Sequence, residues 1–166
     1  LSINDKELVK NCKDILLPTH NNKNAVIIGF VIAKIINECI KNPSSISNPY
    51  EMYGSENSLL SRIISLVRNA EEKIEENNTD KIWVRLQETS RMLQKNCTPE
   101  SFVGTFGNIK VAKITGLLSI FCFMRSPDDF SSIRIAASLG GSSNISASLV
   151  GGMCGAFAGT SFIPKD

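Results

Sequence analysis

The chain has little of what most functional classes require. Its 166 residues include one histidine, one tryptophan and two tyrosines. The five cysteines, Cys12, Cys39, Cys97, Cys122 and Cys154, are odd in number and form no close pair. That argues against a disulfide framework and against a zinc site, and a single histidine cannot partner them all. None has the local signature of a nucleophile. An excess of one charge is also missing, since 18 basic and 16 acidic residues leave +2. The basic residues are scattered singly, whereas a nucleic-acid binder clusters them on one face. Neither nucleic acid nor an anionic membrane is an expected partner. Residues 1–10 are mixed polar, so no signal peptide is read there. Residues 25–40 and 111–124 are the most apolar stretches. Lys34 and Glu38 interrupt the first, and Lys113 marks the second, which is short for a membrane span. Both read as core helices of a cytoplasmic protein. No run alternates with period two, and there are no repeats or long low-complexity segments. The length suits one domain, 1–166, with a sizeable core.

What is present is helical periodicity nearly throughout, so the class is all-α. The spacing predicts an amphipathic helix over 4–16, ended by Pro18, and a central, mostly apolar helix over 22–41. Residues 43–54, rich in Ser, Asn and Pro, read as a loop. Over 55–76, Leu59, Leu60, Ile63, Ile64, Val67 and Ile74 form one apolar stripe. The acidic run of Glu71, Glu72, Glu75 and Glu76 reads as a solvated helix end. Asn77 to Asp80 breaks the pattern, and Thr79 or Asp80 is expected to cap a helix whose Trp83, Leu86, Met92 and Leu93 face inward. Thr98-Pro99 is a cap followed by proline at the first helical position. A glycine-containing loop over 104–108 leads into a buried helix over 111–124. Ser126-Pro127-Asp128-Asp129 is expected to open another, with Ser126 as its cap and both aspartates at its positive end. That explains the two aspartates better than a catalytic carboxylate pair. The last helix is expected over 144–158. Its Gly151, Gly155 and Gly159 recur every four residues, so a neighbouring helix should approach closely on that face.

The last thirty-odd residues carry a motif. Gly140-Gly141-Ser142-Ser143-Asn144-Ile145 precedes the small-residue helix, and Gly159, Ile163 and Pro164 follow. This resembles the C-terminal signature of the ADP-ribosylglycohydrolase family, in which Gly-Gly is followed by Asp-Thr-Asp-Thr. Pro18-Thr19-His20, followed by Asn24-Ala25-Val26, resembles the family's Thr-His segment before a central helix. Residues 104–118 are similar to its glycine-rich segment, and Asp129-Phe130 to its Asp-Phe pair.

The resemblance implies an orthogonal multi-helix bundle and a Mg²⁺-dependent hydrolysis releasing ADP-ribose from modified proteins, with two ions in the site. ADP-ribose or an ADP-ribosylated protein is then the implied partner. It also implies ligand-facing roles for Thr19, His20, Gly140, Gly141, Ser142, Ser143 and Asn144. The sequence departs from the family at the metal. Ser142 and Asn144 stand where the two aspartates fall, and Ile145 where the last threonine falls. Mg²⁺ wants oxygen ligands, usually charged carboxylates, so no metal and no catalytic residue are expected here. Nothing matches the family's Gly-Asp and Thr-Asp-Asp segments. Family members are about twice the length of a domain of this size, so the chain reads as the C-terminal half of the fold. It is therefore expected to self-associate or to sit against a missing N-terminal half.

Each signal also has a plainer reading. His20 suits a surface or capping position as well as a ligand-facing one, and Thr19 suits loop packing. Ser142, Ser143 and Asn144 are good N-cap residues, while helix-start N–H groups beside two glycines also suit a phosphate. The glycine series fits tight packing in a soluble bundle better than membrane dimerisation. Three functions stay open: a degenerate hydrolase, a nucleotide-binding pseudoenzyme and a crystallin-like structural protein.

Overall fold

The computed structural model describes residues 5–16, 18, 22–42, 48, 50–72 and 80–165. Eight α-helices account for most of them: α1 Asp5–Leu16, α2 Lys23–Lys41, α3 Leu59–Glu72, α4 Ile82–Gln94, α5 Pro99–Phe106, α6 Ala112–Arg125, α7 Ser131–Ser138 and α8 Ser143–Ala158. No strand occurs among the described residues. The class is all-α, as the periodicity requires.

Helix α6 is the centre. Every residue from Ile114 to Met124 is buried, and α2, α4, α5, α7 and α8 all pack on it. A helix that is apolar all round has no solvent face to offer. Phe102 of α5 meets Phe121 with ring centroids 4.8 Å apart. Helix α2 comes close because Gly116 has no side chain: a Cβ there would overlap Ile28. The charges that interrupt α2 pair with each other, Lys34 Nζ lying 2.9 Å from Glu38. Cys39, Cys122 and Cys154 are buried, and burial pushes the Cys39 and Cys122 thiols up to about 12.

The Thr98 cap forms as its spacing implies. Its hydroxyl accepts the Ser101 N–H at 3.2 Å, with Pro99 in the first turn. Other local expectations give way to tertiary contacts. Glu71 does not mark a solvated end, being 8% exposed. Its carboxylate accepts the N–H groups of Ile82 (3.0 Å) and Trp83 (2.9 Å) and so caps α4 from α3. Asp80 does not cap that helix; its carboxylate pairs with Arg85 and Lys113. Thr79 lies outside the described residues. Leu86, Met92 and Leu93 are buried, but Trp83 is half-buried beneath the Arg68 guanidinium.

Boundaries move as well. Tyr50–Gly54 is a π-helical turn within the expected loop. Helix α3 begins at Leu59, where the Ser58 hydroxyl accepts the Ser61 N–H. Gly104 stays helical, and α5 stops at Gly107, whose φ of +77° suits only glycine. Helix α7 starts at Ser131, not beside Ser126. Ser126 terminates α6, its N–H bonding to the Phe123 carbonyl. Residues 127–130 then turn, and the Asp129 carboxylate accepts the Ser131 N–H at 2.8 Å. The glycine face of α8 also differs from expectation. A Cβ on Gly155 or Gly159 would meet nothing within 4 Å, and one on Gly151 only Ile133 at 3.5 Å. Helix α8 packs instead through Val150, Met153 and Cys154.

Candidate functional site

After α7 the chain reverses through two left-handed glycines, Gly140 (φ +77°) and Gly141 (φ +66°). Gly141 also has no room for a side chain, because a Cβ would overlap the Asn108 carbonyl oxygen. The Asn108 amide donates to the Leu139 carbonyl at 3.3 Å. Loop 107–111 therefore clamps the turn that delivers Ser142 to the start of α8. Ser142 occupies the N-cap position, and its carbonyl accepts the Ser146 N–H at 2.9 Å. Its hydroxyl makes no capping bond, so the capping role read for these side chains is met in position and not in chemistry. Among the described residues, no side chain caps the first-turn N–H groups of α8.

The side chains at this turn are neutral. Ser142 and Ser143 are half-buried, Asn144 is exposed, and Ile145 is 50% exposed. Among the described residues, no three His, Cys, Asp or Glu side chains gather where they could hold a metal ion. Asp128 and Asp129 are both exposed. The Ser131 N–H, bonded to the Asp129 carboxylate, holds that carboxylate below its ordinary range.

The same 107–111 loop forms one wall of a cleft of about 450 Å³. Asn22 and Asn24 come from the start of α2, Asp80 and Arg85 from α4 and its approach, Thr105 and Phe106 from the end of α5, and Lys113 and Ile114 from the start of α6. Ile109 and Val111 complete the apolar part. At the polar end, Asp80 accepts from Arg85 Nε at 2.9 Å and from Lys113 Nζ. The Lys113 ammonium, with Arg85 second, holds the Asp80 carboxyl below its ordinary range. Arg85 also lies over the Phe106 ring, 5.7 Å from its centroid. The Asn22 side chain caps α2, accepting the Asn24 N–H at 2.9 Å.

Thr19 and His20 lie outside the described residues, so the structure brings neither to a site. Gly140, Gly141, Ser142, Ser143 and Asn144 are brought together at one turn. Sequence reasoning missed the cleft's charged end. Asp80 and Arg85 lie five residues apart, but Lys113 joins them from 33 residues beyond Asp80, and no local pattern links it to them.

Nearly the whole chain matches one family model. The model for ADP-ribosylglycohydrolase matches residues 2–166. The chain belongs to the ADP-ribosylglycohydrolase family. No curated protein and no solved structure gave a match. An all-α fold is that of the ADP-ribosylglycohydrolases. The segment read as this family's glycine-rich stretch is the end of α5, the clamping loop and the start of α6. The Asp-Phe pair read from the ADP-ribosylglycohydrolase signature closes the far end. Phe130 stacks on Phe162 with centroids 6.4 Å apart, and Arg134 lies over Phe130.

Proposed function

We propose that this ADP-ribosylglycohydrolase-like chain is a catalytically silent member of its family. It binds ADP-ribose or a related nucleotide at the Gly140–Asn144 turn without the Mg²⁺ pair. One observation carries the reading: the turn keeps a backbone built for an anion while its side chains offer no charge. Two left-handed glycines and uncapped first-turn N–H groups suit a phosphate. Neutral Ser142 and Asn144, followed by apolar Ile145, make a poor donor set for a hard divalent cation. The family's metal does not fit these residues, so no hydrolytic step is routed through it.

The test is a calorimetric titration with ADP-ribose, run with Mg²⁺ and again with a chelator, alongside an assay for ADP-ribose release from modified protein. Binding that is indifferent to Mg²⁺, with no release, is expected. The triple change Ser142→Asp, Asn144→Asp and Ile145→Thr should make binding respond to Mg²⁺. Turnover of modified protein by the natural chain would refute the silent reading, and absence of ADP-ribose binding would leave the crystallin-like alternative.

The partner part of this reading is self-association through the outer face of α8. Open space at Gly152 and Gly155 lies between Ile145, 50% exposed, and Ile163, 48% exposed. Apolar patches of this kind mark interaction surfaces when they exceed a few hundred Å². Light scattering on the purified chain should give a mass above the monomer's, and a monomer over a wide concentration range would reject it. No helix among the described residues is long and apolar enough to cross a membrane.

A further inference from the structure

We propose that the cleft between α2, α4, α5 and α6 binds an organic phosphate monoester, with Lys113 and Arg85 taking the phosphate and Asp80 occupying its place in the free protein. This does not rest on the reading of the Gly140–Asn144 turn.

The charges point to an anion. Two cations and one carboxylate are found among the described lining residues, so one positive charge is left over. The Lys113 side chain is only 12% exposed. A charge withdrawn from water that far requires a counter-charge. Its partner Asp80 is 49% exposed and lines the cleft. Asp80 bridges both cations, where a phosphate would be held.

The hydrogen-bonding capacity points the same way. Arg85 engages Asp80 through Nε and lines the cleft. Val111 supplies no side-chain cap to α6, and no described side chain caps its first-turn N–H groups. At the polar end Lys113 and Arg85 carry more donors than the Asp80 carboxylate can accept. A phosphate brings about two negative charges and three acceptor oxygens, and so satisfies more of these groups than one carboxylate does.

The remaining wall says what the phosphate is attached to. Phe106, Ile109, Val111 and Ile114 line it, with Ile109 61% and Val111 43% exposed. Large apolar side chains left open beside a cationic pocket favour a ligand with a flat apolar body and a phosphate head. Its volume, about 450 Å³, lies within the usual range for small-molecule sites, roughly 300–1,000 Å³.

The experiment is a calorimetric titration with phenyl phosphate, inorganic phosphate and benzyl alcohol, on the full chain and on Lys113→Gln, Arg85→Gln and Asp80→Asn. Thermal melts check that each variant is folded. Phenyl phosphate should saturate, inorganic phosphate should bind more weakly, and benzyl alcohol should not bind. Lys113→Gln and Arg85→Gln should each weaken phenyl phosphate binding by about tenfold or more, the scale of a lost charge-assisted hydrogen bond. Asp80→Asn should tighten it several-fold, because the competing carboxylate is gone; damage to the fold would not produce a gain. Absence of saturable binding to both the natural chain and Asp80→Asn overturns the proposal. So does a folded Asp80→Asn variant whose affinity is unchanged or lower, and equal affinity for phenyl and inorganic phosphate overturns the monoester assignment.

Discussion

Replacing Glu71 by alanine should be the most damaging single change at the surface of α3. Glu71 is 8% exposed, and its two carboxylate oxygens accept the N–H groups of Ile82 and Trp83 at 3.0 and 2.9 Å. Ile82 is fully buried and Trp83 half-buried. An N–H stranded away from water costs about 1–3 kcal/mol, and bonds to a charged acceptor lie at the upper end. Water can reach the Trp83 side, so the second N–H recovers part of its loss. The expected destabilisation is therefore about 2–4 kcal/mol. At about 2–4 °C per kcal/mol for a chain of this length, the melting temperature should fall by roughly 5–15 °C. Glu71→Gln keeps one acceptor oxygen but turns an NH₂ toward the other N–H, so it should fall between the two. Urea denaturation followed by circular dichroism measures the loss. A change below about 0.5 kcal/mol for Glu71→Ala, the range of ordinary surface substitutions, would mean that these two bonds do not hold α4 to α3.

Gly116→Ala drives a methyl into Ile28 between α2 and α6, and its helix-propensity gain of about 1 kcal/mol does not cover an overpacking cost of about 1–3 kcal/mol. A melt showing a more stable variant would contradict the close approach of the two helices. The pH dependence has a defined sign. Asp80 is held below its ordinary range in the folded protein, chiefly by Lys113, so its contribution is present above the unfolded value, about 3.9, and is lost as pH falls through the lowered folded value. The melting temperature should drop less between about pH 5 and 3 in Asp80→Asn than in the natural chain, and parallel curves would count against the pairing.

The sequence by itself determined the class, the order of the helices and the family. Periodicity placed the apolar stripes because burial is a property of spacing. The Thr98-Pro99 cap was legible because its donor and acceptor are three residues apart. The pair Gly140-Gly141 was legible through the family resemblance, and the structure added the left-handed backbone that requires glycine there. Tertiary structure decided what distant residues do to one another. Glu71 looked like a solvated acid until α4 arrived to be capped, eleven residues on. Asp80 looked like a cap until Lys113 of the central helix offered a stronger partner. Gly116 and Gly29, not the regular glycines of α8, sit where side chains crowd in, against Ile28 and Leu16. Close approach is set by which faces meet, and of the regular glycines on α8 only Gly151 faces a neighbour, Ile133, at ordinary contact distance. The cleft is the same case: Asp80 and Arg85 are near neighbours in the chain, but only packing around α6 brings Lys113 to them.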